Sequence, residues 1–436
     1  MSYNAPEVPF DPVRCADLHN QLLARAIEAA ASSTRQQQDA PRRVTRDLIE
    51  HMTQAAPTWP HGIQVPEDSP IYHFLSLIDL HAMTPDEFPL TPEMHQPDPY
   101  LFDNGFITEN EDGLNVILLY PDATLTPNHG NGGVFFNIDT NRACWNLTEM
   151  GFPSEDFWVP LEVILRKQLL KWDQGKFFWG PADGREWEAL STRSWVANDL
   201  ELAIAGWDTL REAIQNRLPH ADGSSLREEK PPIPSEILHD LKVSSFARAF
   251  LAKAKRPSFT FVAPGITSFT TESIVELYAA EPPTSPRLTA DLDLDGGDEY
   301  ASLILPAVGN PVPEPAPGNR HFEKGWGNAK NTVLRRAGLY VNRRSYGSDG
   351  DDVVLITHEG VDDAFKHHGR RPWGPYRMFS LSEMLFAWAG LVEDGIWEVG
   401  PDGVSTPASW LTDPETEQFR IMRWISALPP DDEEEH

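Results

Sequence analysis

Two stretches decide the fold: VPLEVILRKQLLKWDQGKFFWGP at 159–181 and FSLSEMLFAWAGLVEDGIWEVGP at 379–401. In the first, Leu161, Ile164, Leu165, Leu169 and Trp172 recur at the three- and four-residue steps of one helix face, and Gly175 stands where a C-terminal cap belongs. In the second, Leu381, Met384, Leu385, Trp388 and Val392 form the same stripe ahead of Gly395. Aromatic residues and Gly-Pro follow both helices. The matched positions lie 220 residues apart, and the same spacing sets the apolar run GGVFFN at 132–137 beside DDVVLI at 351–356. A strand followed by a striped helix, a Gly stop and Gly-Pro, repeated at one spacing, predicts an internal duplication. The fold class expected is therefore α+β, with two related α+β lobes, an offset of about 220 residues and an N-terminal helical extension. Two such lobes facing each other would enclose a cleft, a common ligand site.

Outward from the repeat, residues 1–112 read as a helical and irregular wrap. VRCADLHNQLLARAIEAAA carries Val13, Ala16, Leu18, Leu22, Leu23, Ala26 and Ile27 near one face, and Asp11-Pro12 suits a helix start. RRVTRDLIEHMTQAA reads as a second helix, and IYHFLSLIDLH as a short one in a Pro- and acid-rich run. The first lobe is expected at 113–218, with strands at LNVILLY and GGVFFNID, then the helix above, then NDLELAIAGWDTLREAIQNRL capped by Asn198 or Asp199. Residues 219–236, polar and Pro-rich, read as a linker. The second lobe is expected at 237–430, opening with a helix over 236–254, and 431–436 as a solvated acidic tail. SFTFVAPGI reads as a strand entering a turn and TESIVELYAAEP as a helix.

Composition narrows the function classes. The formal charge is −30, which argues against general coating of nucleic acid or an anionic membrane and favours cationic ligands. Two cysteines, Cys15 and Cys144, make neither a disulfide framework nor a thiolate metal site. No signal peptide and no long apolar run is visible, so a cytoplasmic protein with no membrane partner is the expectation. No zinc, P-loop or dinucleotide motif is present, and no cofactor or metal is expected.

Against that acidic background, NRHFEKGWGNAKNTVLRRAGLYVNRRSYG at 319–347 holds seven Lys and Arg against Glu323 alone, a net of +6. Phe322, Trp326, Tyr340 and Tyr346 interleave with them. Cations mixed with flat rings suit a partner with phosphates and bases, and Trp326, Lys330, Arg335, Arg336, Arg343 and Arg344 are the candidate RNA contacts. The alternative is a basic face turned to acidic neighbours in the same fold. KHHGRRPWGPYR at 366–377 is of the same composition.

Three further features could carry chemistry. Asp291, Asp293 and Asp295 spell the opening of a calcium loop, but its twelfth position is Ser302 rather than an acid. Asp291, Asp293 and Glu299 are instead candidates to bind a cationic substrate. In APGITSFTTES, Ser268 sits at a strand-to-helix turn, where free backbone N–H groups can stabilise an oxyanion; Ser268 and Glu272 are the catalytic candidates. The same residues also read as a helix cap.

Two resemblances complete the reading. The unit GGVFFNID…VPLEVILRKQLLKW resembles the C-terminal part of the SUKH superfamily of intracellular binding modules, which implies partner binding without catalysis. FVAPGITSFTTESIVELYAAEP, with the Trp-rich lobes and the overall size, resembles the fungal arginine-containing cyclodipeptide synthases. That resemblance implies a transferase of secondary metabolism that takes arginine from arginyl-tRNA and joins it to a second amino acid. No family residue is carried over; the roles rest on this chain's own candidates. Ser268 would accept or orient the acyl group, the acids would hold a guanidinium, and the basic stretch would hold the aminoacyl-tRNA.

Overall fold

The computed structural model describes residues 10–32, 43–44, 67–81, 88–97, 108–109, 115–123, 132–146, 158–181, 188–219, 230–241, 243–279, 302–308, 337–341, 350–356, 380–411 and 413. The chain is a mixed α+β protein that divides into two compact units, Met1–Arg193 and Ser194–His436.

In the first unit, α1 (Pro12–Ala31) starts as its sequence dictates: Asp11 accepts from Arg14 N at 3.0 Å, and Pro12 fills the first turn, where no N–H is needed. The strand β1 (Arg43–Val44) precedes α2 (Pro70–Leu77), which is capped by Ser69. Arg43 and Val44 pair with β2 (Leu80–His81), so these two residues are strand, not the second helix expected there. Then come β3 (Thr108–Glu109), β4 (Asn115–Pro121), β5 (Gly133–Asn137) and β6 (Arg142–Asn146), an antiparallel sheet in that order. Next is α3 (Leu161–Asp173), and the unit closes with the hairpin β7 (Phe177–Pro181) and β8 (Glu188–Thr192). Val116, Leu118, Phe135, Cys144 and Trp158 form one core cluster of the sheet, and Ile117, Leu119 and Phe136 are buried as well. Apolar residues on both faces mark a sheet covered on both sides.

The second unit begins with α4 (Ala197–Arg217). Its cap is Val196, whose N–H is taken by Asp199 at 2.8 Å, three residues inside the helix, rather than Asn198 or Asp199. The helix packs in this unit, against α8 defined below, so the division lies ahead of the expected linker at 219–236. Two helices, α5 (Ser235–His239) and α6 (Ser245–Lys253), replace the single one read over 236–254. The strands β9 (Phe261–Ala263) and β10 (Ile266–Thr267) flank the Pro264-Gly265 turn, and α7 (Thr271–Ala279) follows. Three antiparallel strands come next, β11 (Ser302–Pro306), β12 (Gly338–Val341) and β13 (Val353–Ile356). The unit continues with α8 (Leu381–Glu393), the short hairpin β14 (Val399–Gly400) and β15 (Gly403–Val404), and a 3-10 turn at Ala408–Leu411. Trp207 of α4 is fully buried against Phe250 and Phe269, with its indole N–H on the Lys255 carbonyl at 2.7 Å. Burying such a side chain contributes about 2–3 kcal/mol.

The two units are built on one plan, and the match goes well beyond the helix pair. The strands β4 and β5 pair Leu118 with Phe135 and then, across a bulge, Tyr120 with Val134 and Pro121 with Gly133. The strands β11 and β12 repeat this: Leu303 with Tyr340, a bulge, Leu305 with Leu339, Pro306 with Gly338. Gly133 and Gly338 share φ +147 and +146, and a Cβ on either would overlap the carbonyl oxygen of the facing strand, at Tyr120 or Leu305. After the sheet, α3 and α8 end in one hydrogen-bond pattern: Gly175 N to Trp172 O and Lys176 N to Lys171 O at 2.9 Å, Gly395 N to Val392 O at 2.9 Å and Ile396 N to Leu391 O at 3.0 Å. Ahead of the sheet, the turn Thr91-Pro-Glu-Met94 matches Ala263-Pro-Gly-Ile266. Met94 bridges Asp122 where Ile266 bridges Ala307, and Ala123 N reaches Glu93 O where Val308 N reaches Gly265 O, each at 3.0 Å. The buried residues of α1 (Cys15, Ala16, His19, Leu22, Leu23, Ala26, Ala30) also fall one for one on those of α4 (Asp199, Leu200, Ala203, Gly206, Trp207, Leu210, Ile214).

The duplication therefore holds, with one correction. GGVFFN is the middle strand of its sheet, and its structural counterpart is Gly338–Val341; Val353–Ile356 corresponds instead to Arg142–Asn146. The helices keep the spacing of 220 residues, but the strands do not.

Candidate functional site

The two copies act as controls for each other. Where the second unit has plain core, the first has buried polar groups. Gln168 and Lys171 of α3 occupy the positions of Trp388 and Leu391 in α8, and Glu93 that of Gly265. These three residues meet: Lys171 Nζ donates to both Glu93 oxygens, at 2.8 and 3.0 Å, and Gln168 Nε2 donates to Glu93 Oε2 at 3.0 Å. The Lys171 and Glu93 side chains are only 12% and 6% exposed. An ion pair this buried loses so much hydration that an apolar pair of the same shape is often as stable. The second unit has apolar groups or glycine at these positions, so the fold does not require the charges.

Aromatic rings line the same region. Gln168 and Trp172 lie one turn apart on α3, so they share a face. The Trp172 ring meets Phe177 edge-on at 5.5 Å, and the Lys171 ammonium stands 5.6 Å from the Phe177 ring. Trp179, two residues along β7, is on the same strand face as Phe177. It stacks with Phe88 at 6.1 Å, and Phe88 stacks with His81 at 3.9 Å. Burial holds the His81 imidazole below its usual pKa, so it is neutral at pH 7. Its backbone N–H is held by Gln96 at 2.8 Å.

Three buried polar atoms of this group lack a hydrogen-bond partner: Gln168 Oε1, Trp172 Nε1 and Trp179 Nε1. Each such atom costs about 1–3 kcal/mol. The Gln168 amide cannot turn over to relieve this, because its NH2 end is committed to Glu93. An unmatched indole also occurs in the second unit, at Trp397, so one bare N–H is not distinctive; an acceptor with two donors is.

A second polar contact lies deeper in the first unit. His19 Nε2 faces the Asp79 carbonyl oxygen at 2.8 Å, which only accepts, so Nε2 carries the proton and Nδ1 accepts from the Tyr120 hydroxyl at 3.1 Å. Burial pushes the Tyr120 phenol up, keeping it a donor. The matching residues in the second unit are Ala203 and Leu305.

The catalytic candidates from the sequence fall elsewhere. Ser268 donates its backbone N–H to Thr260 O at 2.8 Å and stands two residues ahead of the true cap of α7, Thr270. Thr270 and Ser273 cap each other, Ser273 N on Thr270 Oγ1 at 3.0 Å and Thr270 N on Ser273 Oγ at 2.8 Å. Glu272 is fully exposed. Its own backbone N–H, then the Thr270 hydroxyl, hold its carboxyl below the usual range, with Arg256 and Lys230 adding to the effect. The N–H groups that would greet an oxyanion at this turn are thus engaged by Thr270, Ser273 and Glu272. No base bonds to Ser268 among the described residues.

Asp291, Asp293, Glu299, Trp326, Lys330, Arg335, Arg336, Arg343 and Arg344 lie outside the described residues, as does the 366–377 stretch. One aromatic of the basic segment is described: Tyr340 is a fully buried core residue of β12, not a stacking platform. No group of three or more metal-ligating side chains occurs among the described residues. No helix among them is long and apolar enough to cross a membrane.

The polar set of the first unit was not singled out from sequence. Its signal was present: Gln168 falls on the apolar stripe of α3, four residues after Ile164 and seven after Leu161, and its partner 220 residues on is Trp. Comparison of the chain with protein-family models, with curated proteins and with solved structures gives no match in any of the three.

Proposed function

We propose that this chain is a non-catalytic binding protein made of two copies of one α+β module, with its recognition centre in the first copy. The observation that carries this is the Glu93–Lys171–Gln168 set, buried in one copy and replaced by Gly265, Leu391 and Trp388 in the other. A costly feature that the sister copy folds without is retained for something other than folding. The resemblance of this unit to the SUKH binding modules points the same way. The test is affinity capture with the tagged chain and with Glu93→Met/Lys171→Leu. A partner recovered in stoichiometric amount by the wild type, without RNA, and lost with the double variant is the expected result. Equal recovery by both would place recognition elsewhere.

A second reading has one observation in its favour. Residues 307–337 join β11 to β12, where the shorter run 122–132 joins β4 to β5, and the longer connection carries most of the +6 stretch. In this reading the chain is an aminoacyl-tRNA-dependent transferase forming an arginine-containing cyclic dipeptide. Trp326, Lys330, Arg335, Arg336, Arg343 and Arg344 hold the tRNA. Asp291, Asp293 and Glu299 bind the arginine, and Ser268 with Glu272 positions the acyl group. Acyl transfer from an ester to an amine is downhill and needs mainly positioning. Mass spectrometry of cells expressing the chain, against an empty vector, would find a new arginine-containing cyclic dipeptide; its absence from cells with soluble protein rejects this reading.

A further inference from the structure

We infer that the recognition centre of the first unit takes a small, neutral, planar amide; this rests on the binding-protein reading above. The unmatched atoms define the ligand's polarity. Gln168 Oε1 needs an N–H donor and cannot become a donor itself, since Nε2 is fixed on Glu93 at 3.0 Å. The indole N–H groups of Trp172 and Trp179 need acceptors. A group with N–H beside C=O supplies both, and the amide is the simplest such group.

The charges define what is refused. Glu93 takes both contacts of the Lys171 ammonium, so the pair is neutral as a whole. An anion entering beside it would meet Glu93 and a cation would meet Lys171, each without compensation for lost hydration. Phosphate recognition is disfavoured for the same reason. The rings of Trp172, Phe177 and Trp179 favour a flat ligand, because aromatic faces stack on planar groups at little entropic cost. None of this exists in the second unit, where the matching positions are Trp388, Leu391, Val392, Trp397 and Val399. The chain should therefore hold one ligand, not two.

Benzamide, benzoate and benzamidinium have nearly the same shape and differ in charge, so calorimetric titration of the full chain with each is a direct probe. The inference expects saturable binding of one benzamide per chain, with benzoate and benzamidinium at least about tenfold weaker, a difference of about 1.4 kcal/mol. Gln168→Met, which keeps the bulk of the side chain and removes its polar end, should weaken benzamide about tenfold or more. Trp179→Phe, which removes one N–H and leaves a ring, should weaken it several-fold and serves as a second variant should Gln168→Met unfold. No saturation by benzamide in the millimolar range, equal binding of benzoate, or indifference to both substitutions would overturn the inference and leave the cluster as a site for water only. Capture of a partner that depends on Glu93 and Lys171, without benzamide binding, would also sink the amide proposal while sparing the binding-protein reading; loss of both results would reject the two together.

Discussion

Glu93 accepts two hydrogen bonds from the Lys171 ammonium, at 2.8 and 3.0 Å, and the positions that match these residues in the second unit are Gly265 and Leu391. One plan of helix, turn, sheet and helix thus exists twice in a single chain, once with a buried ion pair and once without. The predictions below test the shared plan first and the difference afterwards.

Gly133→Ala and Gly338→Ala should behave as a pair. Both sites have φ near +147, and a Cβ at either meets a carbonyl oxygen across the bulge. Each substitution should destabilise its own unit by about 2–3 kcal/mol, measured by urea unfolding. Gly175→Ala, at φ +71 with open space around it, should cost only about 1 kcal/mol. A harmless Gly133→Ala would remove the bulge from the shared plan.

Gly206 of α4 marks where the copies diverge in packing. Its counterpart in α1 is Leu22, while a Cβ on Gly206 would already stand 3.2 Å from Leu385 Cβ and from Ser382 O of α8. Gly206→Leu should pry α4 from α8 and lower stability by about 3 kcal/mol. Gly206→Ala should be nearly neutral, because the better helix propensity of Ala, about 1 kcal/mol, offsets the tight contact.

Capping and catalysis separate at α7. Thr270→Ala removes the reciprocal contact with Ser273 and should cost about 1 kcal/mol. Ser268→Ala should leave stability unchanged. In cells making the chain, Ser268→Ala should also leave captured partner unchanged; loss of a cyclic dipeptide product in that variant would instead favour the transferase reading.

Both cysteines of the chain, Cys15 and Cys144, are buried in the first unit, so they report on that unit alone. Burial, followed by the charges of Glu162 and Asp11, pushes the Cys15 thiol up to about 12, and burial also raises Cys144. The folded unit keeps these protons while the unfolded chain releases them near pH 8.5. Stability gained from the neutral thiols is therefore full below about pH 8.5 and declines as the pH climbs toward 12, by up to about 1.4 kcal/mol per pH unit for each. Iodoacetamide at pH 8 should label neither cysteine in the native chain and both in urea, as read by mass spectrometry.

Much of the fold was legible, for identifiable reasons. The helices α1, α3 and α8 pair an apolar stripe with a Pro start or a Gly stop, and both signals are local. The second copy was legible only where no insertion intervenes, from the helix through Gly175 and Gly395 to Gly-Pro. Upstream, each connection differs in length between the copies, so the strands drift out of register, and DDVVLI was matched to the wrong strand. Arg43 and Val44 form a two-residue strand whose only support is Leu80 and His81, a contact no local pattern encodes. The candidate site was hidden differently: Glu93, Gln168 and Lys171 look like ordinary surface residues until Glu93, from a distant turn, arrives beneath α3.

The central claim is that the Glu93–Lys171 pair is dispensable to the fold. It is tested most directly by pulsed alkylation of Cys15 and Cys144 along a urea series for the wild type, Lys171→Met and Glu93→Met/Lys171→Leu. Lys171→Met leaves a buried carboxylate short of its cation and should cost the first unit about 3–5 kcal/mol. The double variant, with apolar groups in both places, should return to within about 1 kcal/mol of wild type or exceed it. A double variant as unstable as Lys171→Met would contradict the account, and the ion pair would then belong to the fold of the first unit.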